Sequence, residues 1–321
     1  MKQLRRTLFL LIGLFIIFFT LKYYFLTNKK QVKSKNEQTN IWNGPNIALD
    51  TTIKDNDRSL ILYGQELIAH TSKYLGPNGK VAKITNGMNC QNCHLNAGNQ
   101  AWGNNYWAVY STYPKFRDRS GQVESIYKRV ADCMERSLNG KAIDSNSLEF
   151  SAIYAYIKYL GSNVPVNTKP NGTGIEKLKY LDRAASPEKG HTIYISKCQL
   201  CHGNNGQGQI MASNKEYTYP PVWGEHSYND GAGLYRISNL AGYIKNNMPY
   251  LQANYKNPIL TDEQCWDVAA YINSQPRPHM DQSKDWPNIA KKPIDYAWGP
   301  YIDNFSETQH KYGPYKNLEK K

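Results

Sequence analysis

Acid is in short supply in this chain of 321 residues: 26 Asp and Glu stand against 39 Lys and Arg, a formal charge of +13. The first 40 residues carry eight of the basic residues and one acid, so about +6 remains for the rest. No basic helix with base-reading geometry accompanies that charge, which argues against nucleic acid and leaves acidic partners or small anions. Long apolar runs are scarce too. One, Leu8 to Thr20, follows Lys2, Arg5 and Arg6 and continues through Leu26. It has the shape of an export signal but lacks a small-x-small cleavage site. The span Thr7 to Leu26 is about long enough to cross a bilayer, with Tyr23 and Tyr24 at the interface, so an uncleaved anchor is expected. Cysteine is rare as well, at six residues, and four of the six fall into two short motifs.

Those motifs are Cys90-Gln91-Asn92-Cys93-His94 and Cys198-Gln199-Leu200-Cys201-His202. C-x-x-C-H is the attachment signal for a c-type haem. Two thiols add across the two vinyl groups of one porphyrin, and the histidine then meets the iron from the proximal side. A zinc site would need both pairs to share one metal, and a dithiol redox pair has no use for the histidine. Two covalent haems are therefore expected. Haem is attached to such motifs outside the bacterial cytoplasm, which places the body of the chain in the periplasm.

The expected fold is mainly α: two tandem cytochrome c-like domains behind the N-terminal anchor or signal. The boundaries read as a signal anchor over 1–28, a polar tether over 29–44, domain 1 over 45–168, domain 2 over 169–280 and an extension over 281–321. A helical pattern (Ile61, Leu62, Leu67, Ile68) precedes the first motif, and a helix over Pro187 to Ile195 precedes the second. Phe150 to Ile157 resembles Cys265 to Ile272, both containing Ala-Tyr-Ile, offset by 115 residues where the haem motifs are offset by 108. One duplicated unit with a loop insertion explains both offsets. The extension, rich in Trp, Pro and Tyr, reads as a cover over the domains.

The distal ligand of the second haem is expected at Met248, in Asn247-Met248-Pro249, upstream of the last helix; Met211 is the weaker candidate. The equivalent position in the first unit, counted back from Tyr156 as Met248 is from Tyr271, is Cys133. Two other readings of that position stand beside it: Met134, one residue on, would give an ordinary His/Met haem, and Cys133 could pair with Cys265, the other spare thiol. Apolar residues at Val123, Ile126, Val130, Met134 and Leu138 predict a helix ending at Asn139-Gly140. On it Arg129, Arg136 and Ser137 share a face with Cys133. Guanidiniums there suit a thiolate and would bind an oxyanion through paired hydrogen bonds. The remaining histidines (His70, His191, His226, His279, His310) read as surface or supporting residues.

Tyr113-Pro114-x-Phe116-Arg117-x-Arg119-Ser120-Gly121, followed by Arg129-Val130-x-Asp132-Cys133-x-Glu135-Arg136-Ser137-x-Asn139-Gly140-Lys141, resembles the first haem domain of the di-haem thiosulfate dehydrogenases, some of which work as tetrathionate reductases. Pro220-Pro221-Val222-Trp223-Gly224 and Asn229-x-Gly231-Ala232-Gly233 resemble their second domain. The resemblance implies the reaction in which two thiosulfates give one tetrathionate and two electrons. It implies a catalytic haem held by His94 and Cys133, catalytic or oxyanion-binding roles for Arg119, Arg129 and Ser137, and an electron-relaying haem with His202 and Met248. Some members place a lysine before that methionine and exchange ligands; Asn247 stands there in this chain. The implied partners are the sulfur anions, a small cytochrome c or a membrane electron donor or acceptor, and the membrane through the anchor. A plain di-haem electron carrier is the rival reading if Met134 is the ligand. A cysteine-ligated cytochrome subunit of a sulfur-oxidation complex is the other.

Overall fold

The computed structural model describes residues 41–212 and 216–316, together with Phe18, Leu21 and Lys22. It divides into two units, Met1–Trp42 and Asn43–Lys321. The expected anchor and tether fall almost wholly outside the described residues. Among the described residues no helix is long and apolar enough to cross a membrane.

The unit Asn43–Lys321 is mainly helical, and its two halves repeat one packing device. In the first half, α1 (Asp55–Ala69) buries Ile61, Leu67 and Ile68, whereas Leu62 is turned out to solvent. It is followed by α2 (Ile126–Arg136) and α3 (Leu148–Gly161). Ser147 caps α3, its hydroxyl accepting from Phe150 N at 3.1 Å, as an N-cap serine should. In the second half, α4 (Pro187–Lys197) opens with Ser186 as cap and proline in the first turn, where proline costs no hydrogen bond. Then come α5 (Ile237–Asn247) and α6 (Asp262–Ser274), the latter opened by a Thr261–Gln264 capping box.

The device is a helix crossing through glycine. A Cβ on Gly64 of α1 would lie 2.0 Å from Ala152 O and 2.8 Å from Tyr156 Cβ on α3. A Cβ on Gly190 of α4 would lie 2.0 Å from Asp267 O and 2.8 Å from Tyr271 Cβ on α6. Each domain thus brings its first and last helices into backbone contact, and side-chain-free glycine is what allows it. Tyr156 and Tyr271 are the tyrosines of the repeated Ala-Tyr-Ile. The crossings hold two apolar clusters. The first centres on Leu67, Met134, Ile153 and Tyr156 and the second on Tyr194, Ile237, Trp266 and Val268, with Met248 packed against both.

One expectation fails at the start of α2. Val123 does not begin the helix. It lies in β2 (Gln122–Glu124), paired antiparallel with β1 (Lys115–Arg117), and is 68% exposed. Gly121, at φ +66, turns the chain there, and Ser125 caps the helix that follows by accepting from Lys128 N. A β-branched residue after a left-handed glycine extends more readily than it coils. The second hairpin pairs β3 (Gln209–Ile210) with β4 (Tyr217–Tyr219).

The extension packs along both halves. Ala297 and Trp298 join the first cluster, and Tyr315 and Phe305 the second. Buried Asp295 accepts from Arg236 and Ser238 at the start of α5.

Candidate active site

The first C-x-x-C-H motif is folded against the end of α1 by its neighbours' side chains. Asn89 Oδ1 accepts from Ser72 N at 2.7 Å, and Cys90 N donates to Thr71 Oγ1 at 2.9 Å. Asn89 N donates to Asn92 Oδ1 at 2.7 Å, closing the turn that sets the two thiols side by side. His94 Nδ1 donates to Asn104 O at 2.5 Å, and its ring lies 4.5 Å from that of Tyr106. A histidine fixed through Nδ1 presents a bare Nε2, the arrangement that orients a metal ligand. Burial pushes His94 down to about 4, the Asn104 carbonyl opposes this and Arg129 adds to it, so the imidazole stays neutral. Burial pushes the thiols up, Cys90 to about 11 and Cys93 to about 12, and in both the charge of Cys133 contributes.

The second motif is built the same way. Cys198 caps the end of α4, so the helix delivers the motif directly. His202 Nδ1 donates to Pro220 O at 2.8 Å, and burial lowers its proton affinity. Cys198, Cys201, His202 and Met248 line one cavity of about 210 Å³, and Cys93 of the first motif lines it too. Residues of both motifs therefore share one cavity. Asn247 is 1% exposed. It donates to Trp102 O and accepts from Gln100 Nε2, tying the second domain to the first.

Cys133 sits in the last turn of α2, half-buried. Its charge acts on both Cys90 and Cys93, which places it beside the first haem motif. Met134, a quarter-turn on, is 1% exposed within the first apolar cluster, against which Cys90 and Cys93 also pack. Cys265 is fully buried in the second cluster, and both cysteines are free thiols, so the pairing of Cys133 with Cys265 is not formed. Arg129, one turn before Cys133, is half-buried; the thiol's charge raises its proton affinity first, desolvation opposes, and Tyr113 adds to the rise. Ser137 caps the helix, its N–H donating to Cys133 O at 2.8 Å.

Arg136 departs from the expected role. Its Nη1 and Nη2 donate to the Asp285 carboxylate, each at 2.8 Å, so it is ion-paired with the extension rather than facing the thiol. Arg119 joins the same carboxylate from 3.9 Å and donates through Nη1 to Gly231 O at 3.1 Å. Its guanidinium lies 5.8 Å from the Trp286 ring and 5.9 Å from that of Tyr296. Burial lowers its proton affinity, Tyr296 and Asp285 support the charge, and Arg136 and Arg129 repel it. Asn229 Nδ2 donates to Glu135 O at 2.8 Å and Asn139 Oδ1 at 3.0 Å, fastening the end of α2. The Asn229-x-Gly231 motif of the second domain is thus a support for the arginines of the first. Sequence reading missed Asp285, Trp286 and Tyr296. Their clustering in a Trp- and Tyr-rich tail was the available signal, but nothing in it named Arg119 or Arg136 as partners.

A c-type haem fits both sites on the evidence of the donors present: two thiols and a carbonyl-anchored imidazole at each motif, with a cavity lined by the second motif and by Cys93. Residues 187–276 match the cytochrome c family, and residues 80–166 match the SoxA/TsdA cytochrome c domain. The chain is 35% identical over 243 residues to a thiosulfate dehydrogenase of Psychrobacter arcticus, covering 74% of this chain and 70% of that protein. It is 35% identical over 219 residues to one of Stutzerimonas stutzeri, covering 68% of each. Among solved structures it resembles thiosulfate dehydrogenase (TsdBA) from Marichromatium purpuratum in its as-isolated form, with TM-score 0.68, 29% identity and 78% of this chain covered. The chain spans about half of that longer protein, 51% of its length. With two cytochrome c domains and relatives of this identity and coverage, the chain belongs to the di-haem thiosulfate dehydrogenase family.

Proposed function

We propose that this protein interconverts thiosulfate and tetrathionate at the first domain and passes electrons through the second. The observation that carries the reading is the placement of Cys133: beside the first haem motif and Arg129, while Met134 is turned into the core. A plain electron carrier would need neither the thiol nor the arginines around it.

In this reading Cys90 and Cys93 would attach the first haem, and His94 and Cys133 would hold its iron. Cys198 and Cys201 attach the second, with His202 and Met248. The bound haems supply one-electron acceptance at two potentials, lower with a thiolate ligand and higher with methionine. The chain's own residues do the rest. Arg129, with Arg119 behind it, offsets the sulfonate charge and lets two dianions approach each other. The Cys133 sulfur bonds to the outer sulfur of one thiosulfate as two electrons leave. The outer sulfur of a second thiosulfate attacks that same atom, forming the central bond of tetrathionate and expelling the Cys133 thiolate. Ser137 ends the helix beside this thiol and is assigned to hold a sulfonate oxygen.

The direction used by the cell depends on the partner, a small cytochrome c or a membrane electron donor or acceptor. The body of the chain works in the periplasm, tethered by the apolar segment within residues 1–28.

The test is turnover by the holo-protein, with thiosulfate and a high-potential acceptor and with tetrathionate and a low-potential donor, beside Cys133→Gly. Loss of both activities in a variant that keeps two haems is the expected result. Wild-type turnover in that variant would remove Cys133 from the mechanism.

A further inference from the structure

Arg277, just beyond α6, is a cation with unfilled hydrogen bonds. Its Nη2 donates to Ile272 O at 2.8 Å and Val222 O at 3.3 Å. Its guanidinium lies 4.4 Å from the Tyr228 ring and 5.0 Å from that of Tyr235. Among the described residues its Nε and Nη1 are buried with no hydrogen-bond partner, and so is the Tyr228 hydroxyl. Buried polar groups without partners are costly, and charged ones most of all. The carboxylate of this neighbourhood, Asp230, does not fill the vacancy: it accepts from His279, Met280 N and Gln282 instead.

The location says what would fill it. Of the residues Arg277 touches, Val222, Ile272 and Tyr228 line the cavity that holds Cys198, Cys201 and His202, which Cys93 lines as well. A haem c attached through its vinyl groups still brings two propionate carboxylates. A carboxylate accepts several hydrogen bonds at once and pairs well with a guanidinium fork. We propose that Arg277 and Tyr228 form the propionate anchor of the second domain's haem. Arg277 is then a positioning residue that also sets the potential of that haem, because a cation at the porphyrin edge favours the added electron.

The inference rests on the two-haem reading and not on the sulfur chemistry. The test is therefore a redox titration of the holo-protein without sulfur substrates, with haem counted separately as the pyridine adduct. The second haem's couple is identified as the one that moves in Met248→His. In Arg277→Gln that couple should fall while the first haem's couple stays in place. Arg277→Lys, which keeps the charge but loses the fork, should fall less, and Tyr228→Phe less again. The propionate bending bands in the resonance Raman spectrum should shift in Arg277→Lys as well. An Arg277→Gln protein with two haems and an unmoved second couple would overturn the assignment, as would a shift confined to the first couple. If Arg277→Gln does not accumulate with two haems, Arg277→Lys decides. An unchanged couple and unchanged bands there would equally overturn it.

Discussion

Replacing Asp285 with alanine removes the carboxylate that accepts from Arg136 Nη1 and Nη2 at 2.8 Å and lies 3.9 Å from Arg119 Nε. The two arginine side chains are 11% and 17% exposed, so neither charge is rehydrated by a small rearrangement. Removing one partner of a buried ion pair costs about 3–5 kcal/mol. Gly231 O still accepts from both guanidiniums, so the lower end, about 3 kcal/mol, is expected. At about 2–4 °C per kcal/mol for chains of this general size, the thermal midpoint should drop by roughly 6–12 °C. The perturbation also has a chemical signature. Two uncompensated guanidiniums beside the active site form a receptor for a dianion, so an inert oxyanion should take the place of the lost carboxylate. Sulfate at a hundredfold its dissociation constant would return about 2.7 kcal/mol. The assay is thermal unfolding of the holo-protein by circular dichroism, with sodium sulfate or sodium chloride at matched ionic strength. Sulfate should lift the Asp285→Ala midpoint well beyond its effect on the wild type. Equal sulfate effects on the two proteins would refute the role of Asp285 as an internal counter-ion.

Three further outcomes follow from the packing and the charges. Met134→Leu conserves volume at a core position and should cost less than about 1.5 kcal/mol, leaving the first haem's spectrum and turnover intact. A changed spectrum would make Met134 the ligand after all. Arg129→Gln removes the cation facing Cys133, and kcat/KM should fall on the order of 10²-fold, as when a preorganised charge donor is lost. Unchanged steady-state kinetics would take Arg129 out of the site. Gly190→Ala places a methyl 2.0 Å from Asp267 O and should destabilise the second domain by about 2–3 kcal/mol, the upper range for overpacking. Chemical denaturation followed at the second haem would read it, and an unshifted midpoint would mean that the crossing relaxes freely.

The haem motifs, the duplicated unit and the Met248 loop were legible in the sequence because their chemistry is local. Thiol spacing is fixed by one porphyrin, helix caps by residues three apart, and a repeat by its own recurrence. The α2 segment was legible too, apart from its first turn, where Gly121 and Ser125 outweighed the apolar spacing of Val123. Spacing alone left Cys133 and Met134 as alternatives. Burial differs between them, because successive residues on a helix point about a quarter-turn apart and the core takes one more fully than the other. It took Met134, the larger apolar side chain.

The arginines divide along the same line. Their presence near Cys133 belongs to the sequence, but their duties do not. Arg129 faces the thiol, Arg136 is held by Asp285 from 149 residues away, and Arg119 lies between that carboxylate and two aromatic rings. Among the described residues Arg277 is paired with no carboxylate, and it stands behind the cavity lined by His202. A guanidinium takes whichever anion, carbonyl or ring the packed chain brings within a few ångströms, so a pattern of neighbours along the chain cannot assign its partner. Sequence by itself determined the cofactor chemistry and the two domains. Tertiary structure decided which charges pair with which groups, because buried charge must be balanced in space, not along the chain.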